Sequence, residues 1–240
     1  MPSTFIDLTN QLLRKFNENT ITEGSFVGAR GVQGRAQDII RNTVNRINQQ
    51  AWNWPFNAVQ KEVTLVPGQE QYSWPSDMMR PEWESFQIQA DTVNNVGYRS
   101  LRFIDRQNYY ETSRNDDDTA GTLGRNTPDF VYPSHGSGFG VSPSPNAAYK
   151  LKFNYWATPL PLVQPTDTVS IPSQFDYVII SGAAIDMHDF YDNAEAASLM
   201  RQSHAQDMSV MRSLLLNNYK ALRDTRVNHG GGQYRSTFFF

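Results

Sequence analysis

Two carboxylates, Glu82 and Glu84, flank Trp83 and form the clearest acid pair in the sequence. Glycosidases cleave sugar bonds with two carboxyl groups, and residues two apart on a strand share a face. The spacing is therefore compatible with a cell-wall glycan hydrolase. The surrounding sequence gives no sign of a cleft, so we favour a non-catalytic role for both glutamates and expect no catalytic residues.

The tryptophans could form a second kind of site, a platform on which sugars or a receptor stack. They are Trp52, Trp54, Trp74, Trp83 and Trp156. Tryptophans beside prolines at the ends of helices and strands more often fill a core. A carbohydrate- or receptor-binding tail component stays an alternative function, and core packing is the expectation.

Several acids and histidines have spacings that invite comparison with metal sites. His188 and Asp192 lie one helical turn apart, with Asp186 and Asp189 nearby. A protein metal site needs three or more converging ligands with further support around them, so a solvated helix face explains these residues better. His204 falls on an apolar helical stripe and is expected to be a hydrogen-bonded packing residue. We predict no metal site.

Two loops lack the spacing that ion or phosphate binding requires. The run Asp116–Asp118 does not have the ligand pattern of a calcium loop, and a repulsive, solvated loop is the better interpretation. Residues 17–34 carry four glycines with Arg30 and Arg35, but neither G-x-G-x-x-G nor G-K-[ST]. We expect this second segment to be a connector, and we predict no cofactor.

Composition excludes several classes of function. The chain has 240 residues, 39% of them hydrophobic, no cysteine and a net charge of −3. The absence of cysteine excludes disulfides, thiolate nucleophiles and cysteine-ligated zinc. The charge has the wrong sign for a surface that grips nucleic-acid phosphates throughout. Apolar runs stay below about 18 residues, and Asp7 interrupts any signal-peptide core, so we expect no membrane insertion.

Four helices are predicted from apolar residues that recur at helical spacing. The first follows Ser3 or Thr4, the second ends before Pro55, the third is capped by Ser173, and the fourth follows Asp192 or Asn193. Their stripes are, in order, Phe5, Leu8, Leu12 and Phe16; Ile40, Val44, Ile47 and Ala51; Tyr177, Ile180, Ala184 and Met187; and Met200, His204, Met208, Met211, Leu215 and Leu222.

The middle of the chain has the alternation and turn residues of antiparallel strands. A strand over 59–66, a tight turn at Pro67-Gly68 and a returning segment over 69–74 resemble a hairpin. The clearest strand is 148–157, where aromatic and aliphatic residues alternate with polar ones. We predict an α+β fold, a discontinuous four-helix bundle with an inserted antiparallel β-sandwich or barrel-like domain and an extended C-terminal tail. The predicted boundaries are 1–58 and 172–224 for the bundle, 59–171 for the β-domain and 225–240 for the tail.

The C-terminal tail carries an apolar cluster that a monomer has difficulty covering. Its candidate docking residues are Tyr234, Arg235, Phe238, Phe239 and Phe240, which follow three glycines. Left in water, these rings would expose several hundred Å² of apolar surface. We predict that the tail docks on another protein, and the alternative is that it packs against its own bundle.

The order of these elements resembles the head-to-tail adaptor family of short-tailed bacteriophages, also called tail tubular protein A. The resemblance lies in NRINQQAWNWPFN (45–57), VTLVPGQEQYSWPSDMM (63–79) and IPSQFDYVIISGAAIDMHDFYDN (171–193). It implies a structural, non-enzymatic virion protein, assembled in the host cytoplasm and located at the head–tail junction of a podovirus. It further implies a dodecameric ring that links the portal protein to the tail nozzle protein and lines the channel through which DNA passes during ejection. In this family the C-terminal segment inserts between portal subunits.

Overall fold

The computed structural model describes residues 2–89, 97–113, 125–134 and 136–217, and these form an α+β fold whose sheets are mainly antiparallel. The chain divides into two compact units. The first, which we call the helical unit, draws on Met1–Phe56 and Leu160–Phe240, and the second, the strand unit, draws on Asn57–Pro159. The helical unit is therefore discontinuous in sequence.

The described residues contain six α-helices, four of them long. They are α1 (Phe5–Lys15), α2 (Glu23–Phe26), α3 (Gly31–Gln50), α4 (Arg106–Asn108), α5 (Asp176–Phe190) and α6 (Ala194–Arg212). Short 3-10 turns cover Pro55–Asn57, Trp83–Ser85 and Ser173–Phe175, and π-helical turns follow α4 at Tyr109–Ser113 and α6 at Ser213–Asn217. The long helices α1, α3, α5 and α6 are the four that the sequence predicts. Within the described ranges, none of the helices combines the length and apolar character that crossing a membrane requires.

Helix α1 begins with a capping box at Thr4, one of the two N-cap residues that the sequence predicts. The Thr4 side chain accepts a hydrogen bond from the backbone N–H of Asp7, whose carboxylate in turn accepts from the Thr4 N–H. The next free N–H groups of the helix, those of Phe5 and Ile6, donate to carbonyls of the 160–170 segment at 2.8 and 3.1 Å. The two distant parts of the helical unit are thereby joined at the start of α1.

Helix α3 begins earlier than predicted, and a buried tryptophan lies just beyond its end. Its first residue is Gly31, within the predicted connector, and the φ of +59° there is a conformation that glycine adopts readily. Ile40, Val44 and Ile47 are buried, as their spacing predicts. Beyond the helix end, the fully buried Trp54 donates from Nε1 to the carbonyl of Ile47 at 2.9 Å. This bond satisfies a carbonyl in the last turn of α3.

Helix α5 follows its predicted stripe only in part because it packs against α1, α3 and α6 at once. Ala184 and Met187 are buried as predicted, but Tyr177 is 43% exposed, and Val178 and Ile179, which lie off the stripe, are buried. A helix surrounded on most sides is apolar around most of its circumference, so a single stripe is a poor guide. The predicted Ser173 cap is also wrong, since Ser173 lies in the preceding 3-10 turn and makes no capping bond.

Helix α6 follows the prediction more closely. The Asn193 side chain accepts a hydrogen bond from the N–H of Ala196 at 3.1 Å, which is N-cap geometry. Met208 and Met211 are buried against the other helices. Leu222, the last residue of the predicted stripe, lies outside the described residues. Asn193 therefore marks the start of the helix correctly, and its core-facing side is the predicted one.

The strands form two sheets, in which some pairs join neighbouring strands of the sequence and others join distant ones. They are β1 (Ala58–Thr64), β2 (Gln71–Ser73), β3 (Met78–Pro81), β4 (Gln87–Gln89), β5 (Tyr98–Ser100), β6 (Arg102–Phe103), β7 (Phe130–Pro133), β8 (Gly138–Ser142) and β9 (Lys150–Ala157). One sheet has the order β1-β9-β4-β5, with β3 also pairing β9, and the other has the order β2-β8-β7-β6. All pairs are antiparallel except β6 with β7.

The predicted hairpin between 59–66 and 69–74 is wrong, although its turn is present. The N–H of Gln69 donates to the carbonyl of Val66 at 3.0 Å, and Gly68 has a φ of +78°. However, β1 pairs with β9 and β2 pairs with β8. The turn therefore carries the chain from one sheet to the other, and β1 pairs with β9 along its whole length.

The buried faces of the two sheets share one apolar cluster that is rich in aromatic rings. In β9, Leu151, Phe153 and Tyr155 are buried while Lys150 and Lys152 are half-buried on the other face, as the alternation predicts. The rings of Phe86 and Phe153 stack with centroids 4.8 Å apart. Such stacked pairs add about 0.5–1.5 kcal/mol to their area burial. The strand unit therefore has a core of its own.

Candidate functional site

Glu82 and Glu84 do not lie on a strand, which corrects the geometry assumed for a glycosidase pair. Glu82 precedes the 3-10 turn Trp83–Ser85, and Glu84 lies within it. The Glu82 carboxylate accepts from Nδ2 of Asn154 at 3.2 Å, and its carbonyl accepts from Oγ of Ser85 at 2.6 Å. The role that the structure gives Glu82 is to attach this turn to β9.

Most of the tryptophans occupy packing positions. Trp54 is fully buried in the helical unit and stacks on Phe56 at 5.4 Å. Trp74 and Trp83 pack edge to face at 5.5 Å beside the aromatic core of the strand unit. Trp52 is 44% exposed at the end of α3. These contacts assign Trp54, Trp74 and Trp83 to the cores rather than to an open stacking platform.

The acids around His188 make ion pairs between helices. Asp186 pairs with Arg46 of α3, and Asp189 pairs with Arg201 of α6 at 2.7 Å. His188 packs its ring against Phe16, with centroids 4.7 Å apart. Across the part of the chain that the structure describes, no three His, Cys, Asp or Glu side chains gather where a metal ion could be held. The acids therefore tie α5 to its neighbours.

His204 lies half-buried between α5 and α6. Its Nδ1 is 3.1 Å from Oγ of Ser181, whose hydroxyl also lies 3.2 Å from the carbonyl of Val178. Burial lowers the pKa of His204 below its usual 6.5, and the positive charge of Arg46 acts in the same direction. The imidazole is thus held neutral at pH 7 as a hydrogen-bonded packing residue, the role expected from its position on the stripe.

Next to His204 is an open groove of about 540 Å³, which we call the α6 groove. It is lined by Gln50, Ile185, Arg201, His204, Ala205, Met208, Ser209, Arg212 and Ser213. Most of these residues come from one side of α6, while Ile185 comes from α5 and Gln50 from the end of α3. Sequence reasoning missed this groove because it is formed only when three helices meet.

The charged residues that line the α6 groove are basic. Arg201 is paired with Asp189, which stands beside the groove. Arg212 donates to the neutral amide oxygen of Gln50 at 2.9 Å rather than to a carboxylate. The floor contains apolar side chains from Ile185 and Met208. The groove therefore offers an apolar base and a guanidinium group that retains its positive field.

A row of exposed apolar side chains runs along the other border of the same helix. Leu199, Val210 and Leu214 are 64%, 49% and 53% exposed, respectively. Their spacings of 11 and 4 residues bring them onto one side of α6 and the turn after it. We call this row the α6 ridge. Exposed aliphatic side chains in a row are typical of a protein-binding surface.

The predicted docking residues of the tail lie outside the described residues. They are Tyr234, Arg235, Phe238, Phe239 and Phe240. The acidic run Asp116–Asp118 lies outside them as well. The α6 groove and the α6 ridge are candidate binding surfaces within the described residues.

Comparison with known proteins assigns the chain to a family. The family model of the SU10 adaptor protein matches residues 3–231, which include both units described above. No curated protein matches the sequence. The family match confirms the resemblance to phage head-to-tail adaptors, and the chain belongs to the SU10 adaptor protein family.

Proposed function

We propose that this protein forms a ring that joins the portal protein to the tail nozzle protein and lines the DNA channel between them. The observation that carries the proposal is the family match over residues 3–231. An adaptor assembles with other virion proteins, and a protein placed between two ring-shaped partners is matched best by a ring. By resemblance the ring is a dodecamer at the head–tail junction of a podovirus.

In this proposal the helical unit forms the ring wall as a discontinuous four-helix bundle. One apolar cluster draws on all four long helices, including Leu12 of α1, Ile40 of α3, Val178 of α5 and Met211 of α6, which supports this arrangement. Four helices around one core give a stiff element suited to a ring wall. The bundle would take residues 1–58 and 172–224.

The strand unit, Asn57–Pro159, makes up most of the proposed inserted domain, residues 59–171, and its two sheets would pack as a β-sandwich. The shared aromatic core of both sheets supports that packing. We infer that this domain faces the nozzle or the outer side of the ring. Its own core would let it vary independently of the ring wall.

The tail, residues 225–240, is the proposed portal-docking element. The family match ends at residue 231, just before Tyr234, Arg235, Phe238, Phe239 and Phe240. A partner-specific segment is expected to lie outside the part that the family shares. The support for docking is the apolar and aromatic character of these residues, which favours insertion into a protein groove.

Deletion of residues 233–240 tests the docking proposal. The shortened chain should lose binding to purified portal rings in a pull-down while its thermal unfolding transition stays nearly unchanged, as expected if the segment docks on another protein and not on its own bundle. A matched control replaces the same eight residues with a Gly-Ser sequence of equal length. Retained portal binding by the shortened chain would refute docking through the tail.

No described geometry favours the glycan hydrolase or the carbohydrate-binding module over the adaptor. The family is one of structural adaptors, and Glu82 is engaged with Asn154. A zymogram on host cell walls separates the classes. Clearing by the parent protein that is lost in a Glu82→Gln, Glu84→Gln variant would favour the enzyme.

A further inference from the structure

We propose that the α6 groove binds the acidic segment Asp116–Asp118 of a second copy of the chain. This inference rests on the proposed ring, and it names a contact between neighbouring subunits. The groove belongs to the helical unit, and the acidic segment falls in the sequence of the strand unit. The contact would therefore join different surfaces of the two copies.

Charge complementarity selects this occupant. Among the basic residues that line the groove, Arg201 is paired with Asp189 and His204 is neutral, whereas Arg212 donates to the neutral amide of Gln50 and is not paired with a carboxylate there. Asp116–Asp118 is the one run of three successive acidic residues in the sequence. A guanidinium group binds carboxylates through two parallel hydrogen bonds, so Arg212 is the natural anchor.

The protein's own C-terminal segment, residues 218–240, is a poorer occupant of the groove because of its charge. Residues 218–240 contain Lys220, Arg223, Arg226 and Arg235 against a single acid, Asp224. Four positive charges and one negative charge leave this segment basic, and it would be repelled by the arginines of the groove. The two candidate segments carry net charges of opposite sign, and only the acidic one is attracted to the groove.

The groove offers apolar contact as well as charge. Met208 and Ile185 are among its lining residues. A bound segment that covered the half-buried Ile185 would remove apolar surface from water, at about 25 cal/mol for each Å². Charge would set the register of the segment, and apolar burial would add affinity.

The contact has the symmetry that a ring requires. When a groove on one subunit binds a different surface of the next, the interface is heterologous, and repetition of one rotation closes a ring. An isologous contact would stop at a dimer. The proposed contact is therefore consistent with an adaptor ring and inconsistent with an isolated pair.

Engineered cysteines give a direct test, because the natural chain has none. Ser209 lines the groove beside Arg212, so a Ser209→Cys, Asp117→Cys variant places one thiol on each side of the contact. Under mild oxidation, alone or assembled on portal rings, it should give a ladder of disulfide-linked oligomers on non-reducing gels. Each single variant should give at most a dimer, because one thiol per chain cannot extend a ladder.

A matched control moves one cysteine away from the groove. The pair Glu23→Cys, Asp117→Cys keeps the acidic-segment thiol and places the other on the exposed α2, so it should give no ladder. Absence of the ladder for the Ser209 pair, both alone and on portal, overturns the proposal. So does an equal ladder from the control pair, and so does a disulfide that closes only within one chain.

Charge exchange gives an independent readout. Arg212→Glu should weaken self-assembly by about tenfold, the scale of a close charge pair across an interface. Adding Asp117→Arg should restore a large part of the loss, whereas Arg14→Glu on α1 should have no effect. Portal binding, measured separately, distinguishes the failures. If Asp117→Arg fails to restore self-assembly while portal binding is intact, only the contact proposed here is rejected. If self-assembly is restored but the protein does not bind portal, only the proposed link to the portal is rejected.

Discussion

The imidazole of His204 packs against Gly182 of α5 at a point where the helix carries no side chain. A Cβ added at residue 182 would lie 2.8 Å from Cε1 of His204 and 2.8 Å from Cγ2 of Thr43. Real Cβ atoms do not approach other atoms this closely, so glycine is what allows α3, α5 and α6 to meet here. The position of the His204 side chain, beside the α6 groove, therefore depends on the absence of a side chain at residue 182.

Gly182→Ala should destabilise the protein. The alanine gains about 1 kcal/mol in helix propensity, but the added methyl displaces His204 and Thr43 at a cost of about 1–3 kcal/mol. We expect a net loss of about 1 kcal/mol in the free energy of unfolding, measured in urea. Gly24→Ala is the matched control, because a Cβ there meets nothing within 4 Å. A Gly182→Ala variant as stable as the parent would contradict the packing described.

His204 should make the helical unit less stable in acid. Its folded-state pKa is lowered by burial, so its contribution is fully present above the unfolded value of 6.5 and is lost as pH falls below it. Asp207, Arg46 and Asp186 also act on the ring and partly offset one another. Between pH 7.5 and 5.5 the parent should lose more stability than His204→Gln. Parallel pH profiles for the two proteins would show that His204 does not titrate in this way.

Asp176 should make the helical unit less stable as pH rises, the opposite of the effect of His204. Its Oδ2 accepts a hydrogen bond from Oγ of Ser3, whereas its buried Oδ1 has no hydrogen-bond partner. Burial is the main cause that raises the pKa of Asp176, and Asp7 adds to it. Ionisation therefore disfavours the folded state as pH rises above the unfolded value of 3.8.

The expected effect of Asp176→Asn follows from that sign. The amide keeps an acceptor for Ser3 and carries no charge, so stability at pH 7 should be unchanged or higher by less than about 1 kcal/mol. The difference between variant and parent should shrink near pH 4. Asp176→Ala is the control that removes the acceptor as well. A clear loss of stability in Asp176→Asn at pH 7 would mean that the charge itself stabilises α5.

The start of α6 provides a contrast between two capping candidates. Asn193 accepts from the N–H of Ala196, so Asn193→Ala should lower the free energy of unfolding by about 1 kcal/mol. Ser173 makes no capping bond, and Ser173→Ala should change it by less than about 0.5 kcal/mol. Chemical denaturation of both variants checks the pair. Equal effects would place the cap elsewhere.

Local signals in the sequence predicted the helix ends and the elements that bury only one face. The N-caps, predicted at Ser3 or Thr4 and at Asp192 or Asn193, and the alternation in β9 depend on neighbours within a few residues. The structure confirms the alternation and places the caps at Thr4 and Asn193. The buried stripe of α3 is confirmed for the same reason, since one face of that helix meets the core. Short-range chemistry was sufficient in these places.

Long-range packing decided what local signals could not. The turn at Gly68 forms, yet the strands on either side pair with β9 and β8, far along the chain. Helix α5 is surrounded, so its burial does not follow a stripe. The α6 groove needs residues from three helices. Spacing alone does not report such meetings of distant segments.

The central claim, a ring-forming adaptor, is tested most directly by light scattering coupled to size-exclusion chromatography, with and without portal protein. With a chain mass of 27.3 kDa, a dodecamer would have a mass of about 330 kDa. We predict a species of that mass, alone or bound to the portal ring, with a narrow mass distribution. A chain that stays at its monomer mass in both samples and elutes apart from the portal would contradict the account.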